Sequence, residues 1–194
     1  MGIFNLENPI YQVLNKIIDT VVLSLIYSLL LTPAIFMGYV IINEGFYILF
    51  ILLFVIAMAL VGPATTALYY AMVKVIRRER GYALSEFFRS FKLNFRQGAV
   101  IGMIFGLLMS LLYFDYKFVN EANTTEVSTM NTIMLIGFNA VAILMVLIAT
   151  YIFPLLSRFT LPIKTYFKNS LFMSIRHLPS TLLMILINFA SIFI

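Results

Sequence analysis

The chain has no cysteine, which excludes a disulfide, a thiolate metal site and a cysteine nucleophile. It has a single histidine, His177. General acid–base and metal chemistry draw on clustered His, Asp, Glu or Cys. The acidic residues here are few and scattered, most of them near the N-terminus or between apolar runs. No phosphate-cradling loop or dinucleotide fingerprint is present. These absences argue against an enzyme, and no cofactor is expected. Charge is scarce as well: 11% of residues are charged, against roughly 25% in soluble domains.

What fills the chain instead is apolar surface, 62% of its 194 residues, with a mean hydropathy of +1.02. Crossing a bilayer takes about 20 helical residues. Five apolar runs are candidates, at about 17–42, 46–76, 98–114, 132–156 and 179–194. They lack the alternation of barrel strands, so helices are the expected spanning form. The expected fold is all-α, a polytopic transmembrane helical bundle forming a single membrane domain over 1–194. The first run is too long for a signal-peptide core and no small-residue cleavage site follows it, so it reads as a retained span. The fifth run is short and ends without a polar cap, so either the natural chain is expected to continue past Ile194, the favoured reading, or this helix sits tilted and shallow.

Eleven of the thirteen basic residues fall in two connections. Lys74, Arg77, Arg78, Arg80, Arg89, Lys92 and Arg96 lie between the second and third runs. Arg158, Lys164, Lys168 and Arg176 lie between the fourth and fifth. Basic residues accumulate on the cytoplasmic side of membrane proteins. Both connections are therefore expected inside, together with the N-terminus. The turn at Glu44 and the loop holding Asp115, Glu121 and Glu126 are expected outside. The net charge of +5 suits anionic lipid headgroups. No nucleic-acid-binding motif accompanies it, so nucleic acid is not an expected partner.

Four local patterns are candidates for function. The second run contains Gly62-Pro63-Ala64-Thr65-Thr66. Pro63 removes a helical hydrogen bond, which predicts a kink or break. The blander role is a kink satisfied within the bundle; the sharper one is a broken helix whose new N-terminus binds an anion. The third run carries Gly98, Gly102, Gly106 and Ser110 at i+4 spacing, a small-residue face for close helix packing. Its partner is either a helix of this chain or another subunit, so a homo-oligomer stays open. Residues 84–97 predict an amphipathic helix at the membrane surface between spans 2 and 3. Leu84, Phe87, Phe88, Phe91 and Phe95 form its apolar stripe, opposite Arg89, Lys92 and Arg96. With Arg77, Arg78 and Arg80, these residues are candidates for anionic-lipid or partner contact. In the second basic connection, Ile163, Phe167, Leu171 and Ile175 recur every four residues. Pro63 and Pro154 each precede a basic connection, a pattern that suggests two diverged parallel repeats. Asn139, Asn188, Ser24, Ser28 and Thr32 are the main polar groups within spans, expected in interhelical hydrogen bonds. No ionisable residue lies deep in a span, where ion-coupled transporters usually carry one.

The run Gly62-Pro63-Ala64-Thr65-Thr66-Ala67-Leu68-Tyr69-Tyr70, followed by Glu86-Phe87-Phe88-Arg89-Ser90-Phe91-Lys92-Leu93-Asn94-Phe95, resembles the YesL family of small bacterial membrane proteins. Pro154-Leu155-Leu156-Ser157-Arg158-Phe159, Lys168-Asn169-Ser170-Leu171 and Arg176-His177-Leu178-Pro179 look like the later part of the same family. The resemblance implies a multi-pass protein of a Gram-positive cell membrane with no established catalytic residues. Members often extend beyond the point where this chain stops. They tend to be encoded near sugar ABC transporters, sensor kinases and polysaccharide-degrading enzymes. It thus implies an accessory role in carbohydrate uptake or sensing. The residues alone leave two other readings, a small transporter or channel acting as an oligomer and a membrane-embedded lipid enzyme.

Overall fold

The computed structural model describes residues 9–43, 47–77, 82–125 and 129–190. They form six helices and no strand: α1 (Pro9–Asn43), α2 (Tyr47–Arg77), α3 (Ala83–Thr125), α4 (Thr129–Arg158), α5 (Ile163–Arg176) and α6 (Leu178–Ala190). The fold is all-α, as the continuous apolar runs require once backbone groups must pair within their own segment. Four stretches are long and apolar enough to cross a membrane: Gln12–Ile41, Ile51–Arg77, Ala83–Glu121 and Thr129–Arg158. The fifth expected span, 179–194, lies partly outside the described residues; α6 covers 13 residues of it and its approach.

The surface helix expected over 84–97 is not a separate element. It forms the first turns of α3, a helix of 43 residues and about 65 Å. Nothing in the sequence stops it: Gln97 leads into Gly98 without a proline. The apolar third run accounts for only part of that length, so 83–97 extends the span beyond its apolar stretch. Of the kink or break expected at Pro63, there is no break, since α2 continues through Pro63 to Arg77. The Thr65 hydroxyl donates to the Val61 carbonyl (2.8 Å) and the Thr66 hydroxyl to the Gly62 carbonyl (3.0 Å). Both carbonyls lie in the turn disturbed by the proline, and such hydroxyl bonds let a membrane helix tolerate it.

The chain divides into two compact units, 1–102 and 103–194, with α3 running through both. In the first, Leu23 of α1, Ala67 and Ala71 of α2, and Ala83 and Phe87 of α3 form one buried cluster. Ala34, Ala57 and Val61 form a second. Small residues dominate the buried positions of α2, so its backbone lies close to its neighbours. In the second unit α5 packs on α4 and buries Tyr166, Ser170 and Ser174.

Candidate functional site

The first unit is organised around a seam between α2 and α3. Gly62, Pro63, Gly98 and Gly102 are all buried. A Cβ on Gly62 would fall on the Gly98 carbonyl oxygen, and one on Gly102 would fall on the Met58 carbonyl oxygen. A Cβ on Gly98 would sit 2.8 Å from the Pro63 nitrogen and 2.9 Å from its Cα. The two helices therefore meet backbone against backbone, as small-residue faces allow in lipid. The proline run and the glycine face, read as separate features in the sequence, meet in this one joint. Gly106 and Ser110 continue the buried α3 face in the second unit, where the Ser110 hydroxyl donates to the Leu107 carbonyl (2.8 Å).

Polar groups brace this joint. The Tyr27 and Thr65 hydroxyls lie 3.2 Å apart, a hydrogen bond between α1 and α2. Lys16 Nζ donates to the Ile76 carbonyl (3.1 Å), covering a last-turn carbonyl that α2 cannot satisfy itself. Lys74 Nζ sits 2.9 Å from Glu86 Oε2 and 5.0 Å from the centroid of the Tyr70 ring. This ion pair ties the end of α2 to the start of α3. Lys74 thus has a structural partner, which a count of basic loop residues does not reveal.

The Phe stripe of 84–97 is split. Phe87 is fully buried in the α1–α2–α3 cluster and Phe91 packs against that cluster, whereas Leu84, Phe88 and Phe95 stay exposed. Phe87 therefore faces its own chain. Arg77, Arg89, Lys92 and Arg96 are exposed; Arg78 and Arg80 lie outside the described residues.

In the second unit three of the recurring α5 positions, Ile163, Phe167 and Leu171, are half-buried, and the Phe167 ring stacks on Phe105 at 6.0 Å. Tyr166, Ser170 and Ser174 are buried at i+4 spacing, and Ile175 is exposed. The Tyr166 hydroxyl accepts from the Leu161 amide (2.9 Å) and donates to the Phe159 carbonyl, pinning the turn between α4 and α5. Tyr151 and Thr181 hydroxyls lie 2.9 Å apart, linking α4 to α6. The Ser170 hydroxyl is buried without a hydrogen-bond partner.

The polar residues expected between helices mostly turn inward on their own helix. Ser24, Ser28 and Thr32 donate to Thr20, Ser24 and Ser28 carbonyls, each at 2.9 Å. Asn139 Nδ2 donates to the Leu135 carbonyl (2.8 Å). The side chain of Asn188 lies outside the described residues. Interhelical hydroxyl pairs join Tyr27 to Thr65 and Tyr151 to Thr181 instead. A tyrosine one helix away from a threonine is a pairing that a single sequence does not single out. Among the described residues no group of three or more His, Asp or Glu is gathered as a metal site would need.

Residues 39–116, which contain the whole seam, match the family model described as "Protein of unknown function, DUF624". A protein of Bacillus subtilis (strain 168), described as "Uncharacterized protein YteU", is 29% identical over 133 residues, covering 68% of this chain. That similarity spans 58% of the relative's length. No solved structure matches the chain. The similarities are thus to a family and a relative without an assigned activity, and neither description is enzymatic.

Proposed function

We propose that the protein is a non-enzymatic accessory or regulatory partner of a carbohydrate-uptake or sensing system in a Gram-positive cell membrane, acting on a neighbour such as a sugar ABC transporter or a sensor kinase. The closed α2–α3 seam carries this reading. A transport path at Pro63 needs unwound backbone lining a water-filled cavity. The stretch there is helical, buried and packed against Gly98 and Gly102, and its hydroxyls are bonded. A rigid joint of this kind suits a scaffold. The surface of α4 suits the docking half of the role. It is the most apolar of the four spans, with a hydropathy of 2.5, and only 6% of its most apolar 18 residues are buried within the chain. The exposed Arg77, Arg89, Lys92 and Arg96 suit anionic headgroups beside the first unit. The carbohydrate context rests on the YesL-like runs at 62–70 and 86–95 alone.

The second reading is a small transporter or channel acting as an oligomer. Gly137 on α4 has open space where a side chain would stand, a small residue free for close approach by a second copy.

A photo-crosslinking residue at Ile136 or Ile143, both exposed on α4, tests the choice in native membranes. Capture of a transporter permease or sensor kinase in stoichiometric amount is the expected result. Capture of only a second copy would overturn the accessory reading, and liposome flux would then be measured.

A further inference from the structure

The second unit contains a slot between the later half of α3 and α4, with a volume of about 390 Å³. On α3 its lining begins at Phe105 and ends at Tyr116. That interval is eleven residues, or about 16 Å of helix at 1.5 Å per residue. The apolar run of α3 covers 98–114, so its middle lies near Phe105 and its end just precedes Asp115 and Lys117. The slot therefore runs from the bilayer midplane to one membrane surface, the depth of one leaflet at roughly 15 Å. The leaflet is the one away from the basic connections.

Its chemistry is graded along that length. The deep end is apolar, with Ala149 on α4 and Phe105 on α3. The Phe105 ring lies 6.1 Å from the Phe153 ring and 6.0 Å from the Phe167 ring. The lining side chains able to hydrogen-bond, Tyr113, Tyr116 and Asn139, stand toward the surface end. Met109 and Val146 line the slot and each keeps about half its surface exposed, so it opens sideways to lipid.

The shape selects the occupant. Even the full empty volume of about 910 Å³, open space at the mouth included, gives over about 16 Å a mean section on the order of 57 Å², whereas a helix about 10–12 Å across needs on the order of 80–110 Å². Neither a helix of a second copy nor one of a partner can enter. An extended hydrocarbon chain can. We infer that the slot holds one acyl chain of a phospholipid, whose ester and phosphate oxygens accept hydrogen bonds from Tyr113, Tyr116 and Asn139 at the mouth. Apolar packing alone would not separate this lipid from the bulk bilayer, because lipid tails are equally apolar. The donors at the mouth and the fit along the wall supply the preference.

The test uses the full chain in phosphatidylcholine–phosphatidylglycerol vesicles containing a small share of phospholipid with a mid-chain diazirine. Labelled positions are then mapped by mass spectrometry. Labelling at Met109, Met145 and Val146 is expected to exceed that at Ile136 and Ile143, exposed α4 positions outside the slot, by about tenfold. Ala142→Phe, which fills the slot, is expected to bring it down to the level at Ile143. Asn139→Leu, which leaves the wall intact, is expected to lower it several-fold without changing Ile143, and keeps the test open if the filled variant does not fold. Equal labelling at all five positions, or slot labelling unchanged by Asn139→Leu, would overturn the inference.

Discussion

The two basic connections look alike in sequence and fold into different joints. In the first, α2 ends at Arg77 and the segment from Ala83 runs through Gly98 into the third span as one helix. In the second, α5 ends at Arg176 and α6 starts at Leu178. His177 between them has φ −115° and ψ 38°, outside helical geometry. The difference is one proline. Pro179 has no N–H to continue the ladder and clashes with the preceding turn of a continuing helix, and no proline stands between Ala83 and Thr125.

The packing differs to match. The first unit is held by backbone contact at glycines, the second by hydroxyl bonds at Tyr151, Tyr166 and Thr181. The sharpest probe of that contrast is one methyl group placed twice. Gly62→Ala sets a Cβ onto the Gly98 carbonyl and is expected to cost at least about 3 kcal/mol, the upper range for overpacking, or to abolish folding. Gly137→Ala meets nothing within 4 Å and is expected to leave stability unchanged or raise it by up to about 1 kcal/mol. Thermal unfolding in mild detergent reads both. Equal melting temperatures would break the comparison.

Phenylalanines extend the test from backbone to side chains. Phe87→Ala empties a fully buried site and is expected to cost about 3 kcal/mol. Phe172→Ala, at a residue 63% exposed, is expected to change stability by no more than about 0.5 kcal/mol. A loss at Phe172 as large as that at Phe87 would mean that α5 is covered by more than its own unit.

Within the second unit, Tyr166→Phe removes the hydroxyl that pins the α4–α5 turn and is expected to cost about 1–2 kcal/mol. Ser170→Ala removes a hydroxyl that has no partner and is expected to be neutral or slightly stabilising. The smallest effect is at the lipid surface. Arg96→Gln is expected to weaken association with anionic vesicles by about 1 kcal/mol at low salt without changing melting. Retained binding would remove Arg96 from the headgroup contact.

The helical class and the four long apolar helices were legible because apolar length alone dictates them in lipid. The glycine face at Gly98 and Gly102 was legible as a packing surface, but its mate was not. Nothing in the spacing of Gly62 says that it opposes Gly98, because sequence reports faces and not their pairings. The surface helix at 84–97 was read as separate because its composition changes at Gly98, whereas helix continuity depends on the backbone, which tolerates that change. In α5 the fourfold recurrence of Ile163, Phe167, Leu171 and Ile175 was legible, whereas the full burial of Ser170 and Ser174 beside it depends on the neighbouring helices. The slot beside Asn139 depends on the separation of α3 from α4, a tertiary quantity with no local signature.

The most direct test of the closed seam uses a chain that has no cysteine of its own. A single Thr66→Cys change places a thiol at a fully buried position beside Pro63, and Lys92→Cys places one at an exposed position. Both are exposed to a water-soluble maleimide in native membranes. The account predicts modification at residue 92 and none at residue 66 over the same time. Comparable rates at both positions would mean that water reaches the α2–α3 joint, contradicting the scaffold reading and favouring a transport path.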